Sequence, residues 1–166
     1  MAAKSLFTPE QYLRMSFDGA DRELVDGELV ERNLAENPDS KAQWRLSGLF
    51  FVLAREKKLH ARPELRVRVR PDRYRIVDLA VFAGEEPAEP VPTTPPLIAI
   101  EIVSRDDRHT EIMEKLEEYR AWGVAHVWLV DPWFRRLYVH GENDLTEVKA
   151  YRVPELGAEI PADEIL

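Results

Sequence analysis

The chain contains no cysteine, which excludes a disulfide framework, a thiolate nucleophile and a sulfur-ligated zinc. Any metal must be held by oxygen or histidine. Long apolar runs are also missing: none approaches the roughly 18 residues of a membrane span, and residues 1–9 lack the apolar core of a signal peptide. A cytoplasmic protein with no membrane association is expected. Positive charge is in deficit, with 23 Lys and Arg against 31 Asp and Glu and a net charge of −8. That balance argues against a general nucleic-acid coat, because nonspecific affinity comes from neutralising phosphates.

What remains is a chain of 166 residues, 45% of them hydrophobic, enough to close one core and too short for two good ones. A single domain over 1–166 is expected. Thr8-Pro9-Glu10-Gln11 supplies an N-cap and a proline at the first helical position, so a short helix opens the chain with Tyr12, Leu13 and Phe17 able to face inward. Arg22 to Glu31, broken by Asp26-Gly27, reads as a tight hairpin. Leu34 to Ser40, with Asn37-Pro38-Asp39, reads as a loop ending in helix-start chemistry, after which Trp44, Leu46, Leu49, Phe50, Val52 and Leu53 recur at helical spacing up to about Lys58.

Strands follow over about 62–70 and 75–82. In the first, Arg66, Arg68 and Arg70 alternate with Leu65, Val67 and Val69, which puts three guanidinium groups on one strand face. That face suits either phosphates or plain solvation. Pro87, Pro90, Pro92, Pro95 and Pro96 make 83–96 an extended surface loop that could move over a ligand. A buried strand at 97–103 leads through a charged loop into a helix from about Glu111 to Trp122, stopped by Gly123. Strands at 126–132, 136–140 and 146–151 follow, the last two as a meander, and 157–166 reads as a short closing turn. The order of elements describes an α+β or α/β domain with a mixed sheet.

Two acids stand out because each interrupts an apolar strand. Asp78 lies within Ile76-Val77-Asp78-Leu79-Ala80, and Glu101 within Ile98-Ala99-Ile100-Glu101-Ile102. A carboxylate buried there costs several kcal/mol unless something positive compensates it. A divalent cation shared by both removes both penalties, and Mg²⁺ or Mn²⁺ suits such oxygen donors. Lys115 completes the pattern, falling on the apolar stripe of its helix with Ile112, Leu116 and Tyr119. It points toward the sheet, where it can steady a hydroxide and the extra charge of a phosphodiester transition state. The same position also suits a lysine whose stem lies along the core edge while its ammonium pairs with Glu111 or Glu118. Glu101 and Lys115 could equally form a buried ion pair with no metal. Glu28 and Glu111 are further acids that could serve as oxygen ligands or as surface groups.

Val77-Asp78, Glu101-Ile102-Val103-Ser104, Glu114 to Arg120, Trp122-Gly123-Val124 and Trp128 to Pro132 together resemble the signature blocks of the Uma-type restriction endonuclease family, a branch of the PD-(D/E)XK nucleases. Leu24 to Val30 resembles its amino-terminal hairpin block. The resemblance implies a restriction-endonuclease-like core, a mixed central β-sheet flanked by helices, with Asp78 and Glu101 as metal ligands and Glu28 as the extra acid. It also implies that the catalytic lysine has moved to the helix, since Val103 stands two residues after Glu101 where the strand lysine ordinarily sits, leaving Lys115. The expected activity is then a Mg²⁺- or Mn²⁺-dependent endonuclease acting on DNA, as a homodimer if both strands are cut. The alternative is a catalytically silent nuclease fold that binds nucleic acid or protein. Three departures bear on that choice: Val77 replaces the family's proline before the aspartate, Arg105 replaces the proline after the serine, and Gln43 stands where a histidine is often presented.

Overall fold

Asp26 and Gly27 take positive φ angles of 51° and 80°, the conformation a two-residue hairpin turn requires. They join β1 (Arg22–Val25) to β2 (Glu28–Glu31) as the Asp-Gly pair predicts. In the computed structural model, which describes residues 6–142 and 144–166, this hairpin forms one end of an eight-stranded sheet. The first five residues of the segment read for a signal peptide lie outside the described residues. The sheet continues with β3 (Leu59–Arg70), β4 (Arg73–Ala83), β5 (Ile98–Ile102), β6 (His126–Asp131), β7 (Arg136–His140) and β8 (Leu145–Val148). Its order is β2-β1-β4-β5-β6-β7-β8, with β3 also paired to β4. β5 and β6 run parallel and the other pairs antiparallel, so the sheet is mixed.

Three helices cover it. α1 (Pro9–Leu13) is closed at its start by a capping box between Thr8 and Gln11, and it buries Tyr12 against Leu24 and Tyr74. Leu13, expected inward, is 43% exposed, because one helical turn can seat only one such residue. α2 (Asn37–Leu53) packs Ala42, Leu46 and Phe50 against β4, β5 and β6. Trp44 and Val52 also fit the helical period but lie outside this stripe, and with Phe51 they face solvent. α3 (His109–Trp122) packs Leu116 and Tyr119 on the other cluster, with Val127 and Leu129. Gly123 ends it at φ 109°, a left-handed cap that glycine adopts without a Cβ penalty.

Three expectations are corrected. The tail is more than a closing turn: β9 (Ala150–Val153) and β10 (Ala158–Pro161) form a second sheet, and α4 (Ala162–Ile165) follows. Tyr151, Val153, Ile160 and Ile165 join the α2-side core, and the Tyr151 ring stacks on Trp128 with centroids 4.0 Å apart. Pro154, Gly157 and Pro161 break the tail into pieces too short to show a period.

The proline-rich loop does not border the functional cleft described below. Pro92 accepts a hydrogen bond from the Arg68 N–H (2.9 Å) and Thr93 one from the Trp122 indole (3.0 Å), so the loop is a strap tied to β3 and α3. Nor is the arginine strand an open phosphate track. The Arg66 guanidinium lies 4.8 Å from the Tyr12 ring centroid and that of Arg68 5.9 Å from Tyr74, because α1 and the start of β4 bring aromatic rings to that face.

Candidate active site

The sheet opens where β1 and β5 part company. β3 pairs with β4 along its length, from Leu59 opposite Ala83 to Arg70 opposite Arg73. A strand has two edges, so β1 and β5 share the other one. β1 holds it at Tyr74 and β5 at Leu79 to Val81. Between them Arg75 to Asp78 face a notch, and side chains take over the bonding that a strand would have supplied. Glu23 Oε1 accepts from the Ile76 N–H (2.8 Å) and Lys115 Nζ donates to the Ile76 carbonyl (3.2 Å). Asp78 Oδ2 accepts from the Ile102 N–H at 2.7 Å, bridging to β5 beyond its last backbone pair with β4.

Asp78, Glu101 and Lys115 meet in this notch. Lys115 Nζ lies 2.7 Å from Glu101 Oε2 and 3.1 Å from Glu23 Oε1. Its partners are therefore strand acids, and not Glu111 or Glu118 on its own helix. Tyr119, one turn further along α3, donates its hydroxyl to Glu101 Oε1 at 2.8 Å. Arg75 donates to Glu23 Oε2 (3.0 Å) and to Glu118 Oε2 (2.7 Å). Arg32, just after the hairpin, pairs with Asp78 Oδ1 and with Glu64.

The electrostatics follow from this packing. Burial, and then the neighbouring Glu101, push Asp78 up to about 8 despite Arg32 and Lys115. Burial also raises Glu101, against the pull of Lys115. Glu23 ends below its ordinary range: burial would raise it, but Lys115, Arg75 and the Ile76 N–H prevail. For Lys115, burial would favour the neutral amine, yet Glu101, Glu23 and Asp78 together hold it protonated well above the ordinary lysine range. Packed against three acids, Lys115 is suited to act as a cation and not as a general base.

The notch opens into a cleft of about 220 Å³. Glu23, Asp78, Glu101 and Lys115 form its floor, while Arg32, Asn33, Ser104, Arg108 and Glu111 line it further out. Glu28 is not among the lining residues. It sits opposite Val25 at the turn end of the hairpin, and the hairpin acid that reaches the lysine is Glu23. The local pattern does not separate the two acids, since Glu23 alternates with Val25 and Glu28 with Val30 on the same face of the hairpin. Arg32 and Arg75 also went unforeseen, since their role depends on contacts across 46 and 43 positions of chain, to Asp78 and Glu118. Gln43 is a brace. Its Nε2 donates to the Asp78 carbonyl (2.9 Å) and to Glu64 (2.6 Å).

A hard divalent cation fits the donors, two buried carboxylates of which Asp78 is held from ionising by burial and Glu101. Among the described residues, however, no group of three or more His, Cys, Asp or Glu side chains is arranged to hold a metal. A cation here would rest on Asp78 and Glu101, fill its other positions with water, and require Arg32 to release Asp78.

A mixed sheet with helices on both faces and this notch at its centre has the architecture of a restriction-endonuclease-like nuclease. The crystal structure at 1.96 Å resolution of a "putative nuclease belonging to DUF820" from Anabaena variabilis superposes with a TM-score of 0.82. The match is 18% identical and covers 96% of this chain and 97% of that one, which is a likeness of fold. The family follows from the sequence itself: the Uma2 model, described as "Putative restriction endonuclease", matches residues 9–166, and the chain belongs to that family. No curated protein sequence matches it. Among the described residues no helix is long and apolar enough to cross a membrane.

Proposed function

We propose that this member of a nuclease family is a Mg²⁺- or Mn²⁺-dependent endonuclease that hydrolyses DNA phosphodiesters at the notch. One observation carries the reading: the Lys115 ammonium is seated 2.7 Å from Glu101, with Asp78 beside it on the floor of an open cleft. Asp78 and Glu101 would hold the cation, which would supply Lewis-acid polarisation of a phosphoryl oxygen and a bound water of lowered pKa. The Lys115 ammonium faces the negative charge that develops on phosphorus. Tyr119 and Lys115 orient Glu101, Gln43 holds the Asp78 backbone, and Arg108 at the outer wall suits a phosphate of the bound strand.

A second reading has its own support. Lys115 and Tyr119 satisfy one oxygen of Glu101 each, the pattern of a buried structural ion pair on a silent nuclease fold. Calorimetric titration with Mn²⁺ separates the two. Wild type binds and Asp78→Ala does not if the notch holds metal; equal binding by both, or none by wild type, refutes the proposal. Plasmid nicking should then disappear in Lys115→Ala and persist in the surface variant Lys57→Ala.

A further inference from the structure

Two large aromatic side chains stand out of the molecule on the turn between β6 and β7: Trp133 is 37% and Phe134 75% exposed. The turn that carries them is rigid. Asp131 Oδ1 accepts hydrogen bonds from the backbone N–H groups of both Trp133 and Phe134, each at 3.0 Å, and Arg135 completes the reversal at φ 54°. Aromatic surface displayed on a fixed backbone loses little freedom when something docks on it.

The turn stands next to the notch because β5 and β6 are the parallel pair. Ile102 lies opposite Val130, and the Val103 N–H donates to the Val130 carbonyl at 2.8 Å. The carboxyl ends of both strands therefore emerge at one edge of the sheet, with Glu101 ending one strand and the aromatic turn following the other. The loop after β5 joins them physically. The Arg105 guanidinium lies 5.9 Å from the Trp133 ring centroid, and Arg108, in the same loop, lines the cleft. Neither Arg105 nor Arg135 forms an ion pair with a described carboxylate.

We propose that the Trp133–Phe134 turn is a stacking platform for an unpaired base of a nucleic-acid strand whose phosphates pass Arg105 and Arg108 into the cleft. The chemistry of the patch selects this occupant. Guanidinium groups beside exposed rings, Arg105 with no described carboxylate partner and Arg108 held only at 3.7 Å by an exposed Glu111, complement a strand that alternates phosphates with flat π-faces, and every base offers such a face whatever the sequence. In a closed duplex those faces are hidden by neighbouring bases. The preferred substrate therefore has a single-stranded or opened segment beside the scissile bond, which deepens the nuclease reading and rests on it for the role of the cleft.

Anisotropy of a labelled single-stranded oligonucleotide in EDTA tests this without cleavage. Trp133→Ala/Phe134→Ala should bind about 10-fold more weakly or worse, the scale of one lost stacking contact. The aromatic variant Trp133→Phe/Phe134→Tyr, and Trp44→Ala on the exposed face of α2, should bind as wild type does, and affinity for blunt duplex should change much less. Unchanged affinity in the double alanine variant, or an equal loss in Trp44→Ala, overturns the proposal. So does a double variant that shifts sedimentation while oligonucleotide affinity stays the same, which would assign the patch to a second copy of the chain. If wild type binds no nucleic acid of any kind, the nuclease reading falls with it; if wild type binds and the double variant binds equally, the platform alone falls.

Discussion

Without metal, the Asp78 carboxyl makes this protein lose stability as pH rises. Its pKa is pushed up to about 8 in the folded state from an ordinary value of 3.8. Between those values the folded form holds a proton that the unfolded form has released, so unfolding free energy falls with increasing pH across that window. About four pH units at 1.36 kcal/mol each give a ceiling of roughly 5 to 6 kcal/mol; water entry and side-chain relaxation reduce it to about 3 kcal/mol. Asp78→Asn keeps the shape and an acceptor for the Ile102 N–H but has nothing to ionise. For a domain of this size about 3 kcal/mol corresponds to roughly 6–12 °C in Tm. The assay is thermal unfolding by circular dichroism in EDTA, at pH 4.5 and pH 8.5, for wild type and Asp78→Asn. The advantage of the variant should grow by that amount between the two pH values. Any fixed cost of the substitution, such as an amide facing Arg32, appears at both and cancels. A difference in Tm that stays constant with pH, or that moves in favour of wild type at pH 8.5, would refute the reasoning.

Lys115→Met leaves Glu101 and Glu23 buried beside each other without their shared cation and should cost about 3–5 kcal/mol at pH 8, measured as a lower midpoint in urea; adding Glu101→Gln should recover part of that loss. Arg32→Met removes the guanidinium that pairs with Asp78 Oδ1, so calorimetry should show Mn²⁺ binding tighter by about 10-fold, or roughly 1.4 kcal/mol, and unchanged or weaker binding refutes the competition. Tyr151→Phe removes the hydroxyl that donates to the Leu129 carbonyl at 2.7 Å inside the core. It should lower stability by about 1–2 kcal/mol, read as a fall of several degrees in Tm.

Asp78 and Glu101 were legible in the sequence because a charged residue inside an apolar strand breaks a local pattern, and local patterns survive without a structure. Lys115 was legible for the same reason, as a polar residue on a helical stripe. What surrounds them was not, because it depends on where separate elements come to rest. Glu23 and Glu28 lie on the two strands of one hairpin, and what tells them apart is a contact across the notch, the 3.1 Å from Glu23 Oε1 to Lys115, made where Leu24 pairs with Tyr74. Arg75 illustrates the limit further. In the sequence it is one of a cluster of arginines between Arg62 and Arg75, yet it is buried and bonded to Glu23 and Glu118, whereas Arg66 and Arg68 lie on tyrosine rings. A charge run therefore conceals two physically different populations. Guanidinium groups beside the notch neutralise acids that the fold has already buried, those of Arg66 and Arg68 lie on rings, and Arg105 and Arg108 stand exposed beside the cleft with no buried acid to neutralise. In a protein with a net charge of −8, a strand held at the notch by Arg105 and Arg108 makes few phosphate contacts, so the salt dependence of binding should be shallow, and a steep one would implicate the arginine-rich strand as well.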